Sequence, residues 1–182
     1  MAHPDRNFFP GRRTVLSGAL AALALPAWAS GTIDRYQKAQ TPKPLPDVVF
    51  STADDKEIRF ADHAGKVLLV NFWATWCAPC VKEMPSLDRL QARLGKDKLV
   101  VLALSLDGSS RARVAPFYED KKLTSLGIYF DKGRKAMQAL EVSILPTTIL
   151  VDAQGREVGR LEGEADWDRP EAVALVSGAL AG

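Results

Sequence analysis

Cysteine and histidine are scarce in this chain, with two of each in 182 residues. Cys77, Cys80 and His63 are all that remain once the first 29 residues are set aside, too few for a four-coordinate structural zinc site. No pattern of residues calls for a metal or a cofactor. Long apolar runs are also lacking: the strongest, Val15 to Leu25, falls short of the roughly 20 residues of a membrane-spanning helix, and Pro26 interrupts it. An excess of charge is missing as well. The formal +2 of the whole chain comes from the N-terminus, because removing residues 1–29 takes away Arg6, Arg12 and Arg13 but only Asp5 and leaves a formal charge of zero. A nucleic acid is therefore not expected as a partner.

What is present at the N-terminus has the order of an export signal. Arg12 and Arg13 precede the apolar, small-residue stretch, and Ala27-Trp28-Ala29 supplies an A-x-A cleavage site, which predicts a signal peptide over residues 1–29. The run Gly11-Arg12-Arg13-Thr14-Val15-Leu16 resembles a twin-arginine signal, with Sec export as the alternative. Export to the periplasm is the expectation. An uncleaved membrane tether is the alternative, since no charge occurs between Arg13 and Asp34.

The remaining chain suits one domain, and its apolar content, 47% over the full sequence, is ample for one core. Residues 30–46, with Pro42, Pro44 and Pro46, read as an extended linker to a domain over residues 47–182. Val48 to Ser51 and Glu57 to Phe60 predict a β-hairpin. Val67 to Trp73 is apolar and aromatic except for Asn71, the pattern of a strand buried on both faces. From Pro79 the period becomes helical, with Met84, Leu87, Leu90 and Leu94 three or four apart, Pro85 as a kink and Gly95 as the stop. Further on, a strand is expected over 99–106, a helix over 111–122, a short strand over 128–130 and a helix over 134–140. This alternation predicts an α/β fold whose sheet is partly parallel. Thr148 to Val151 and Val158 to Leu161 read as a hairpin turned by Gly155, and Asp168 with Glu171 as the capping box of a final helix.

Chemistry enters at Cys77-Ala78-Pro79-Cys80, where the buried strand passes into the helix. A helix N-terminus offers free N–H groups and the positive end of the macrodipole, which stabilise a thiolate on Cys77. Cys80, three residues on, is placed to attack a mixed disulfide formed by Cys77. An inert structural bridge is the competing explanation, but closing so small a ring restrains little of the unfolded chain.

The motif also carries a likeness. Gly65-Lys66-Val67, Asn71-Phe72-Trp73-Ala74-Thr75-Trp76-Cys77-Ala78-Pro79-Cys80, Glu83-Met84-Pro85, Leu145-Pro146-Thr147-Thr148, Asp152 with Gly155, and Asp166-Trp167-Asp168 resemble the TlpA-like or ResA-like periplasmic thiol-disulfide oxidoreductases. The resemblance implies a thioredoxin-like fold with an N-terminal β-hairpin and an inserted strand-helix unit before a cis-proline. It implies a reductase kept reduced by a membrane thiol electron donor. The clients it implies are exported proteins carrying a disulfide: copper-site assembly proteins, such as a copper chaperone, or apocytochrome c in cytochrome biogenesis.

Pro146 is marked by the same resemblance as the cis-proline that faces the cysteines, with Leu145 before it forming a client-binding edge. Ile144 departs from the glycine frequent in the family at that place, and its bulk is expected to narrow the client groove. Thioredoxin has a buried aspartate where this chain has Asn71, and Glu83, one turn after Cys80, is expected as a partly buried replacement that accepts the Cys80 proton. Trp76 is expected as an apolar docking surface over the active site. Two other functions remain in view. A Cu(I)-binding module would usually add a histidine or methionine ligand, and His63 lies in a separate loop before the redox strand; a thiol peroxidase would need Thr and Arg beside its cysteine.

Overall fold

The computed structural model describes Met1, residues 33–108 and residues 110–181. The expected signal peptide and the start of the expected linker fall within residues 2–32 and lie outside the described residues. Every side chain from Val67 to Trp73 is buried, and the sheet extends to both sides of this strand.

In chain order the strands are β1 (Gln37–Pro44), β2 (Val49–Thr52), β3 (Glu57–Arg59), β4 (Val67–Trp73), β5 (Leu99–Ser105), β6 (Tyr129–Phe130), β7 (Thr147–Val151) and β8 (Arg156–Glu162). The helices are α1 (Ala78–Leu94), α2 (Arg111–Asp120), α3 (Lys135–Ala139) and α4 (Pro170–Leu180). One eight-stranded sheet has the order β1-β8-β7-β4-β5-β6-β2-β3. β4, β5 and β6 are parallel, and β7 and β8 return antiparallel, with Phe72 opposite Thr147 and Asn71 opposite Thr148. The α/β expectation holds, as does the strand-helix unit before the proline. β6 of that unit pairs with β5 on one side and β2 on the other, which joins the β2–β3 hairpin to the main sheet.

Buried polar groups fix the helix on the sheet. Gln91 of α1 donates to the Leu99 carbonyl and accepts from Val101 N–H, and Asp88 accepts from the N–H groups of Ser125 and Leu126. Such buried groups stabilise only when paired, and these are. α1 runs unbroken through Pro85 and ends at Gly95, whose positive φ of 73° glycine adopts without a side-chain clash.

Two expectations are corrected. Residues 30–46 do not form a free linker throughout, because Gln37–Pro44 is strand β1, antiparallel to β8 at the edge of the sheet. Its exposed polar residues and prolines resemble a linker by composition, yet extended backbone needs only a partner edge to become a strand. The capping box at Asp168 is also absent. Pro170 takes the first turn, which moves the N-cap to Arg169, and Asp168 pairs with Arg89 of α1 instead.

Candidate functional site

Cys77 is the N-cap of α1 and forms a disulfide with Cys80, their Cα atoms 5.3 Å apart. Its Sγ accepts the backbone N–H of Cys80 at 3.4 Å. The first turn of α1 holds no acidic side chain, so no carboxylate competes with a sulfur anion for the positive end of the helix. Cys77 is 7% exposed and Cys80 fully buried. The cysteine loop is anchored from β5: Asp107 accepts both the backbone N–H and the hydroxyl of Thr75, together with the hydroxyl of Ser105.

Glu83 lies one turn after Cys80 on the same helix, a spacing of roughly 5–6 Å between Cβ atoms. The expected partial burial is corrected: Glu83 is 2% exposed. One carboxylate oxygen accepts Asn71 Nδ2 at 2.7 Å, and the other accepts Ala165 N–H at 3.0 Å and Trp167 Nε1 at 3.2 Å. Burial pushes its carboxyl from 4.5 up to about 7, against the pull of these three hydrogen bonds, and the nearby charge of Glu164 adds to the rise. Asn71 also donates to Thr148 Oγ1 at 2.9 Å, which ties the acid to β7. Ser86 supports the same corner, donating to the Glu83 carbonyl and accepting Trp167 N–H.

The Leu145–Pro146 peptide is cis. Because Phe72 lies opposite Thr147, Pro146 just before β7 and the cysteine loop just after β4 emerge at the same end of neighbouring strands. The Pro146 carbonyl accepts Gly163 N–H at 2.7 Å. Trp76 is 61% exposed and Ile144 47%, while Leu145 is half-buried and Pro146 buried. Ile144 thus presents apolar surface to solvent.

All six residues singled out by sequence, Trp76, Cys77, Cys80, Glu83, Leu145 and Pro146, lie at or just beyond the ends of β4 and β7 or on the first turns of α1. Sequence reasoning missed Ala165 and Trp167, which reach Glu83 across 82 and 84 residues. No local signal marks a contact at that separation.

The arrangement bears on the competing chemistries. The Thr75 hydroxyl donates to Asp107, and Arg113 faces the same carboxylate at 3.6 Å, so both are committed away from Cys77. His63 sits in a 3-10 turn before β4, while the cysteines follow its far end, a span of about 20 Å for seven residues. His63 is therefore no third ligand for the cysteine pair. No cluster of three or more His, Cys, Asp or Glu side chains suited to a metal occurs among the described residues, and none of their helices is long and apolar enough to cross a membrane.

Comparison with known proteins agrees with the geometry. Residues 42–156 match the AhpC/TSA family. Thiol-disulfide oxidoreductase ResA of Bacillus anthracis is 34% identical over 157 residues, 86% of this chain and 87% of that protein. ResA of Bacillus cereus is 31% identical over the same coverage. Among solved structures, the pneumococcal exposed lipoprotein thioredoxin of Streptococcus pneumoniae has a TM-score of 0.60 at 25% identity, covering 75% of this chain and all of that one. StoA from Bacillus subtilis has a TM-score of 0.56 at 23% identity, over 68% and 92% of the two chains. The chain has the thioredoxin-like fold, belongs to the AhpC/TSA family, and is a ResA-like thiol-disulfide oxidoreductase with Cys77 and Cys80 as its Cys-x-x-Cys pair.

Proposed function

We propose that this protein is an exported reductase of client disulfides, with Cys77 as the attacking thiolate and Cys80 as the resolving thiol. The observation that carries the reading is the position of Cys77 at the N-cap of α1, with no acidic side chain in the first turn and Cys80 buried behind it. The Cys77 thiolate attacks a client disulfide, forming a mixed disulfide and expelling one client thiolate. Cys80 then gives its proton to the Glu83 carboxylate and attacks Cys77 Sγ, expelling the second client thiolate. Two electrons pass from the dithiol to the client, and the protein is left with its Cys77–Cys80 disulfide. A carboxyl titrating near 7 suits a proton acceptor working near neutral pH.

Trp76 and the Leu145–Pro146 edge serve as the docking surface, an exposed aromatic at the same end of the sheet as the cis-proline bend that leads into β7. The signal-like order of residues 1–29 supports a periplasmic site of action, with a membrane tether if the segment is retained. Electrons then come from a membrane thiol donor. The clients are exported proteins with a disulfide, of the copper-chaperone or apocytochrome c class.

A trapping experiment tests this. Cys80→Ser, expressed with its own signal among the native envelope proteins, is expected to accumulate disulfide-linked complexes that dissolve on reduction and whose masses identify the client. No more mixed disulfide than in a Cys77→Ser, Cys80→Ser double variant would rule out the two-step exchange. Clients of neither class would overturn that assignment.

A further inference from the structure

A proton placed on Glu83 can return to Cys80 when the donor re-reduces the disulfide or exchange with solvent, and neutral groups and α1 enclose much of the carboxylate. Asn71 of β4 and Thr148 of β7 lie beneath it, both neutral, and α1 carries it with Cys80 one turn back. Ala165 N–H and Trp167 Nε1 cap the other oxygen from the 163–168 segment. A cavity of about 170 Å³ lies between α1 and residues 163–168, and Glu83, Ser86 and Ala165 form part of its wall. The groups around its mouth are charged. Lys82 Nζ of α1 contacts Glu164 Oε1 at 2.6 Å, and Arg89 of α1 pairs with Asp168, while Asp166 also lines the cavity. Lys82 retains 61% side-chain exposure and Glu164 21%, so this pair stands between the cavity and bulk water.

We propose that this cavity is the proton port of Glu83 and that Lys82 and Glu164 are positioning residues that hold its mouth and set the pH at which the buried carboxylate accepts a proton. The inference rests on Glu83 being the proton acceptor for Cys80. During resolution the proton moves from Cys80 Sγ to Glu83, which equilibrates with solvent through the port; when the membrane thiol donor supplies two electrons to the Cys77–Cys80 disulfide, Cys80 regains a proton by the same route. Glu164 is the carboxylate whose charge opposes ionisation of Glu83, and Lys82 offsets that charge. Removing Lys82 would leave the Glu164 charge uncompensated near Glu83, whereas removing Glu164 would take that charge away.

The test follows the rate of mixed-disulfide resolution against pH in the full chain, using a small aromatic disulfide as client. Lys82→Met leaves Glu164 uncompensated and is expected to move the midpoint up by about half a pH unit, whereas Glu164→Gln moves it down by a similar amount. Lys82→Arg keeps the charge and should restore the wild-type midpoint. Raising the salt concentration should shrink both shifts, because the pair is partly exposed. A purely structural role would move both variants the same way or change only the plateau rate, and either result overturns the proposal. Glu83→Gln separates the two levels. If it abolishes the midpoint while Lys82→Met and Glu164→Gln leave theirs in place, the port is wrong and the acceptor stands. If Glu83→Gln retains the wild-type profile, the acceptor reading fails and the port with it.

Discussion

Glu83 shows what burial does to one residue. Its carboxyl titrates near 7 in the folded protein, above its ordinary value of 4.5, so the unfolded chain releases this proton first. The contribution of Glu83 to stability is therefore greatest below about pH 4.5, falls as pH rises to about 7, and is flat beyond, a loss of roughly 3 kcal/mol. Glu83→Gln removes that slope. Asn71 can accommodate the amide by a flip, because its Oδ1 has no hydrogen-bond partner among the described residues. Urea unfolding of the oxidised protein at pH 5 and 7.5 should show the variant gaining on wild type by a few kcal/mol as pH rises. A difference independent of pH would mean that Glu83 ionises normally. At this scale the sequence was partly legible: the three-residue spacing pointed to Glu83, and Asn71 marked the missing aspartate. Full burial depends on Ala165 and Trp167, brought in by the fold alone.

Among the elements, those with their own periodicity were readable. β4 and β5 are continuous apolar runs, and α1 repeats its apolar residues at helical spacing, so local sequence and tertiary burial agree. β1 was not, since a strand of polar residues, prolines and one alanine carries no alternation and its assignment depends wholly on a partner 112 or more residues away. Tyr36 just before β1 lies over Gly159 of β8, where an added Cβ would stand 2.2 Å from the Tyr36 hydroxyl and 2.6 Å from the Gln37 carbonyl. Gly159→Val should therefore displace β1 from the sheet edge. Limited proteolysis is expected to cut the variant before residue 46 at least tenfold faster than wild type, with client reduction nearly unchanged because the cysteines lie at the β4 end. Equal cleavage rates would show that β1 does not need this close approach.

For the whole molecule, one end of the sheet gathers the chemistry. β4 delivers the cysteine loop, β7 begins at the cis-proline, α1 aims its N-terminus at Cys77, and the 163–168 segment closes over Glu83. The crevice beyond the carboxyl ends of parallel strands is where α/β sheets commonly place their sites, and β4 obeys that rule. Sequence reasoning reached the parallel core and its motif, but the place of β6 between β5 and β2 is a long-range pairing that no local pattern encodes.

The two-step exchange requires Cys77 to be the thiol that ionises and reacts first. Brief alkylation of the reduced protein across pH 5 to 9, with each cysteine mapped by mass spectrometry, measures this directly. Cys77 should be labelled first, with a midpoint below the ordinary thiol value of about 8.5, while Cys80 stays protected until the protein is unfolded. Labelling of Cys80 ahead of Cys77 at every pH would contradict the account.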